Sequence, residues 1–239
     1  MAAKEKLVRV PVGGGKSVKG FLRGSLTKPL VIFVHGLTGD PNEHQFYNGA
    51  RYLEQQGFSS FRYYLYDSRP LRQATLKTHA ADFDAVMAYF RKRSKRKIFA
   101  IGHSYGGPTI LLGKRKDLDG AVLWDPSYKL KKFALLRSYS KYEPRLRAYR
   151  IRWYVDYLLG KRMVDVDAKV PWAELGKDIA YPLKVITAGN GVLRESRRYA
   201  ENAQGKSAHE IIKGAGHTFE DDGAAEKLYI STVKWLKEI

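Results

Sequence analysis

Between Lys97 and Gly113 the chain reads KIFAIGHSYGGPTILLG. An apolar run of strand character ends at Gly102, an apolar helical pattern is under way by Pro108, and only a few residues turn between them. A strand passing into a helix this abruptly forces the central residue, Ser104, into a strained backbone conformation. The residues two places to either side then approach so closely that only hydrogen fits as a side chain, which accounts for Gly102 and Gly106. The same turn lifts the Ser104 hydroxyl clear of the sheet and aims a helix N-terminus, with its partial positive charge, at whatever the hydroxyl attacks.

The rest of the chain extends this unit into an alternation. Leu7–Val12 and Gly20–Ser25 read as an antiparallel pair around a Gly13–Gly15 turn. Leu30–His35 is a continuous β-branched and aromatic run that suits a strand buried on both faces. A helix over Asn42–Gln56, a strand over Phe58–Tyr66 and a helix over Thr78–Arg93 follow. In that last helix Phe83, Val86, Met87 and Phe90 keep a helical period. Lys97–Ile101 is a strand, Tyr105–Lys114 a helix and Gly120–Trp124 the sixth strand. Strands at Leu183–Ala188 and His209–Lys213, with helices near Glu195–Ala203 and Asp222–Glu238, complete the pattern. Alternating strands and helices predict an α/β fold, a mostly parallel sheet covered on both faces by helices.

The rhythm breaks between Ser127 and Asp178, where no good sheet strand is apparent and cations alternate with aromatics such as Phe133, Tyr139, Tyr142, Tyr149, Trp153, Tyr154 and Tyr157. This predicts a core built from residues 1–126 and 179–239, with residues 127–178 inserted after the sixth strand as a helical segment.

Composition narrows the function classes. There is no cysteine, which excludes disulfides and thiolate chemistry. No run of eighteen apolar residues exists and the N-terminus lacks the apolar stretch of a signal peptide, so a cytoplasmic protein is expected. With 43 Lys and Arg against 24 Asp and Glu, the formal charge is +19. A field of that sign attracts nucleic acid, an anionic membrane or an anionic substrate, but a solvated basic surface is the preferred reading of it. No obligate protein partner is evident. Gly13-Gly14-Gly15-Lys16 is a fragment of a phosphate loop without the remaining spacing, and reads as a hairpin turn. No metal-ligand or cofactor motif is present, so neither a metal nor a cofactor is expected.

A serine hydroxyl is a weak nucleophile and needs a base within reach. Three stretches in order, VIFVHGLTGD (Val31–Asp40), AIGHSYGG (Ala100–Gly107) and IKGAGHTFED (Ile212–Asp221), resemble the α/β-hydrolase family, and the resemblance covers nearly the whole chain apart from the insertion. It implies Ser104 as nucleophile and His217, in the glycine-rich loop after the last strand, as base. The amide of Tyr105, the residue after the nucleophile, is one expected oxyanion donor. The resemblance assigns the second to the amide of Leu37. It also implies that the insertion is a cap over the active site, its aromatics lining an acyl or aryl pocket.

The acid of the triad is the open position. Many family members carry it after the strand that Leu183–Ala188 represents here, but Val192 stands where it is expected. Asp125, just beyond the buried run of the sixth strand, is the preferred alternative, since a carboxylate at a strand's C-terminal end faces the same crevice as Ser104. Glu195 is the next candidate, and Asn190 could orient the ring without charge. The function expected is a cofactor-independent serine hydrolase of carboxylic esters, a carboxylesterase of short or medium acyl or aryl esters acting through an acyl-enzyme. A monoacylglycerol-type lipase, a thioesterase or amidase on the same machinery, and a non-catalytic hydrolase-fold binding module are the alternatives.

Overall fold

The computed structural model describes residues 5–128, 140–152, 156–191 and 193–239. Its frame is an eight-stranded sheet made of β1 (Lys6–Gly13), β2 (Lys16–Arg23), β3 (Leu30–Val34), β4 (Ser59–Tyr63), β5 (Ile98–His103), β6 (Gly120–Trp124), β10 (Leu183–Ala188) and β11 (Ser207–Ile212). Their order across the sheet is β1-β2-β4-β3-β5-β6-β10-β11. Within this sheet only the β1–β2 and β2–β4 pairings are antiparallel; β4, β3, β5, β6, β10 and β11 run parallel.

Period-two alternation sorts each central strand between two cores. Leu30, Ile32 and Val34 of β3, Ala100 of β5 and Leu123 of β6 face one side. Val31 and Phe33, Phe99 and Ile101, and Val122 and Trp124 face the other. The first side is covered by α2 (Leu76–Arg91) through Phe83, Val86, Met87 and Phe90, and by α3 (Gly106–Leu112) through Ile110 and Leu111. The second is covered by α1 (His44–Gln55) through Phe46, Ala50 and Leu53, and by the closing helix (Ala224–Glu238) through Leu228, Trp235 and Leu236. Burial on both faces is why these strands read as unbroken apolar runs. α2 starts before the expected Thr78 because Thr75 and Thr78 cap it reciprocally, each hydroxyl accepting the other's backbone N–H.

The insertion departs from its expected helical character. Its described part carries a small antiparallel sheet, β7 (Ser140–Glu143), β8 (Ala148–Arg152) and β9 (Asp156–Gly160), followed by one short helix, α4 (Lys161–Asp167). The rings of Tyr142 and Tyr149, cross-strand partners, lie 5.1 Å apart. Aromatic pairs of this kind stabilise strand pairing, and the aromatic-rich composition read as helical serves that role. Phe133, Tyr139, Trp153 and Tyr154, expected to line the cap, lie outside the described residues, as does Val192.

Asp167, at the end of α4, fastens the insertion to the core. Its buried carboxylate accepts hydrogen bonds from the Tyr105 hydroxyl at 2.5 Å and the Leu76 amide at 3.0 Å. Burial pushes its pKa up to about 6 in spite of both bonds. Nearby, the His79 ring stands edge-on to Tyr66 and Tyr105. Both its nitrogens are buried without a hydrogen-bond partner among the described residues, and burial lowers its pKa from 6.5 to about 3.

A neutral buried imidazole penalises folding in acid. Below pH 6.5 the unfolded chain takes up a proton that the folded chain refuses, so stability falls as pH drops from 6.5 toward 3. His79→Leu removes this linkage. The loss of unfolding free energy between pH 7 and pH 5 is expected to shrink by about 2 kcal/mol, as measured by urea titration at each pH.

Candidate active site

The chain turns from β5 into α3 through Ser104, whose φ is +52°, a region that costs a non-glycine residue about 1–2 kcal/mol. The turn is held on both sides: the Ser104 amide donates to the Trp124 carbonyl at 3.0 Å, and the Ser104 carbonyl accepts from the Ser127 amide at 2.9 Å. Both flanking glycines are required by contact. A Cβ on Gly102 would lie 2.6 Å from the Gly106 carbonyl oxygen, and one on Gly106 would lie 2.0 Å from that of Val34. The Ser104 hydroxyl is hydrogen-bonded to that of Ser127 at 3.4 Å.

β3 and β5 are neighbours although β4 lies between them in sequence, on the far side of β3. The chain therefore leaves these two strands in opposite directions, and a crevice opens at their C-terminal ends. The loop after β3 occupies it beside the serine. A Cβ on Gly36 would sit 3.2 Å from that of Ser104, which brings the next residue, Leu37, to the elbow. His35 braces this loop. Its Nδ1–H donates to the Gly36 carbonyl at 2.9 Å, and its Nε2 accepts from the Leu65 amide at 3.1 Å. Burial lowers its pKa to about 4, so the ring is neutral and its tautomer fixed. Tyr105 begins the turn into α3, its side chain anchored by Asp167.

β6 delivers Asp125 to the same edge. Its φ is +39°, its amide donates to the Ile186 carbonyl at 2.7 Å, and its carboxylate is fully buried. Oδ1 accepts from the Ala188 amide at 3.1 Å, and Oδ2 accepts from His217 Nδ1 at 2.6 Å. Of the three candidates for this partner, Asp125 is the one in contact with the ring. Asn190 spends its side-chain amide on the Gly214 carbonyl at 2.9 Å, and Glu195 is exposed on the turn at Arg194–Arg197. With Nδ1–H committed to Asp125, His217 Nε2 is left with a free lone pair, the form a general base needs. The ring is 41% exposed and so remains accessible from the crevice.

His103, the elbow residue before Ser104, holds His217. The two rings lie 4.6 Å apart. His103 Nε2–H donates to the His217 backbone carbonyl at 2.8 Å, while its Nδ1 accepts from the Gln45 side-chain amide at 3.0 Å. Burial, and then the neighbouring His217, drive its pKa well below 6.5, so it stays neutral. The residue preceding Ser104 thus pins the loop that carries the imidazole. Nothing in the spacing announces this, since Gln45 and His217 lie 58 and 114 residues away. Two other histidines are engaged elsewhere: His44 with Glu220 at 3.1 Å and His209 with Thr187 at 3.0 Å. Of the acidic residues that follow His217, Asp221 accepts from the Gly216 amide and Glu220 pairs with His44.

Comparison with known proteins agrees with this architecture. The chain resembles Est1E from Butyrivibrio proteoclasticus, solved with ferulic acid bound, at a TM-score of 0.81 and 17% identity over 97% of this chain and 98% of that one. It resembles dienelactone hydrolase from Anabaena variabilis at a TM-score of 0.75 and 16% identity over 100% and 99% of the two chains. The esterase domain of a Rhodothermus marinus protein gives a TM-score of 0.73 and 14% identity over 98% of each chain. At such identities the likeness is one of fold. No curated protein matches the sequence. Among the described residues no helix is long and apolar enough to cross a membrane. The sequence profile of the Alpha/beta hydrolase family matches residues 31–226, and together with the strand order and the elbow at Ser104 this shows that the chain belongs to the alpha/beta hydrolase family.

Proposed function

We propose that the protein is a serine hydrolase of carboxylic esters, acting on short or medium acyl or aryl esters through an acyl-enzyme. The observation that carries this is the contact between His217 Nδ1 and the buried Asp125 carboxylate at 2.6 Å, together with a strained serine whose amide bonds the carbonyl of Trp124, the residue before Asp125. Ser104 Oγ attacks the acyl carbon as His217 Nε2 takes its proton. The carbonyl oxygen becomes an oxyanion, held by the amides of Leu37 and Tyr105. Collapse of the tetrahedral adduct breaks the bond to the alcohol, which leaves with the proton from Nε2. Water then attacks the acyl-serine by the same route and releases the acid. Asp125 orients the ring and stabilises the imidazolium without itself being protonated. The ferulic acid bound to Est1E supports including aryl esters among the substrates to be tried.

The experiment is a p-nitrophenyl ester panel of increasing acyl length together with an aryl ester. Saturable turnover, blocked by a serine-directed phosphonate, is expected. Absence of both turnover and phosphonate labelling would favour a binding module on a hydrolase frame.

His103 supplies a narrower test. His103→Leu keeps Ser104, His217 and Asp125 but frees the His217 loop. kcat is expected to fall about ten- to a hundredfold through misplacement of the base, with KM nearly unchanged and the acid limb of the pH–rate profile shifted. An unaltered profile with unaltered kcat would make His103 a core residue only.

A further inference from the structure

Away from Ser104, the seam between the insertion and the core encloses an open cavity of about 790 Å³, the size of a small-molecule site. Its walls come from four separate segments. Lys16 enters from the end of the β1–β2 hairpin turn, Arg69 and Arg72 from the loop before α2, Arg147 from the turn between β7 and β8, and Lys161 and Arg162 from the start of α4. One acidic residue, Asp165, faces these six cations.

Two of the six are neutralised locally. Arg69 is held by buried Asp82 at 3.1 Å, and Lys161 by Asp165. Lys16, Arg72, Arg147 and Arg162 make no close ion pair among the described residues, although the charge of Lys16 also acts on Asp82. Four cations converging on one concavity repel each other, and a bound anion relieves that repulsion. The Arg147 turn is built for its place: φ is +47° at a non-glycine residue, and its carbonyl accepts from the Lys161 amide at 2.9 Å. Guanidinium groups match phosphate oxygens in pairs, and cations arriving from four directions suit a ligand bearing more than one phosphate.

We infer that this seam cavity is a binding site for a phosphate-bearing polyanion, separate from the ester-cleaving site. A concave site of this volume favours a small ligand over a duplex. A ligand here would bridge the core to α4, whose last residue, Asp167, anchors Tyr105. Binding therefore ties the insertion to the core and raises thermal stability by mass action.

The test uses the full chain in 150 mM NaCl, with inorganic tripolyphosphate as soluble probe and neutral vesicles with or without a phosphoinositide as lipid probe. Tripolyphosphate is expected to bind with a Kd below 100 μM and to raise Tm. The double variant Arg72→Glu/Arg162→Glu, at two exposed positions, is expected to weaken binding at least tenfold. The variant should keep the circular dichroism spectrum of the parent and its ester turnover within twofold. Arg147→Gln serves as a milder second variant, with a threefold loss expected. Preference for phosphoinositide vesicles, lost in both variants, would support the same site with a lipid headgroup as the phosphate source. No binding of either probe at 1 mM phosphate, binding undiminished in both variants, or tight binding of duplex DNA with none of tripolyphosphate would overturn the proposal. None of these outcomes depends on the chemistry of Ser104.

Discussion

Ser104→Ala is expected to lower kcat toward p-nitrophenyl butyrate by roughly 10⁵- to 10⁶-fold, to the background of the assay. The reason is specific to the elbow. The hydroxyl sits where the Gly36–Leu37 loop and the head of α3 converge, at the residue whose positive φ marks the elbow. Loss of the hydroxyl costs the fold little, because its hydrogen bond to Ser127 is long, at 3.4 Å. Ser104→Gly separates function from strain. It removes the same nucleophile but suits the φ of +52°, and it is expected to raise the free energy of unfolding by about 1 kcal/mol relative to Ser104→Ala. Retained turnover in the alanine variant would move the nucleophile elsewhere.

Asp125→Asn is expected to lower kcat about ten-thousandfold with the fold intact. The Ala188 amide, 3.1 Å from Oδ1, will keep the asparagine oxygen on its side. The NH₂ group is then turned toward His217 Nδ1, where Oδ2 now lies at 2.6 Å. A donor facing Nδ1 forces the other tautomer, so Nε2 carries the proton and cannot accept one from the serine. Glu195→Gln, on an exposed turn, is expected to leave kcat within about twofold, the usual outcome for an exposed substitution. The reverse pattern would transfer the orienting role to Glu195.

Which parts of this arrangement were legible in the sequence follows from what the sequence encodes locally. β3, β5, β6 and β10 are buried on both faces; β3 and β6 appear as uninterrupted apolar runs, and the sequence bounds of β6 and β10 match the strands to the residue. The elbow was legible because close approach demands glycine at two fixed offsets. Asp125 could be named because a carboxylate directly after a buried run has few places to go but the end of the strand.

The strands in the described part of the insertion are not legible in the sequence because they are short and lack clean alternation. In β8, buried Ala148 and Ile151 are separated by an odd number of positions, which fits a helical period as well as a strand. Its tight turn uses Arg147 at positive φ in place of a glycine, so no turn residue marks it. Contacts that bridge distant segments were beyond any local pattern. Asp167 reaches Leu76 across 91 residues, and Gln45 orients His103 across 58. These make the site rigid, yet each looks in sequence like an ordinary polar residue.

The most direct test of the central claim, that His217 activates Ser104, is covalent trapping. The intact protein is incubated with a fluorophosphonate, and the adduct is counted and mapped by mass spectrometry, in parallel with His217→Ala. One adduct per chain on the peptide containing Ser104, formed at least a thousandfold more slowly in the variant, is the predicted result. An adduct on another residue, or labelling of Ser104 at the same rate without the imidazole, would contradict it.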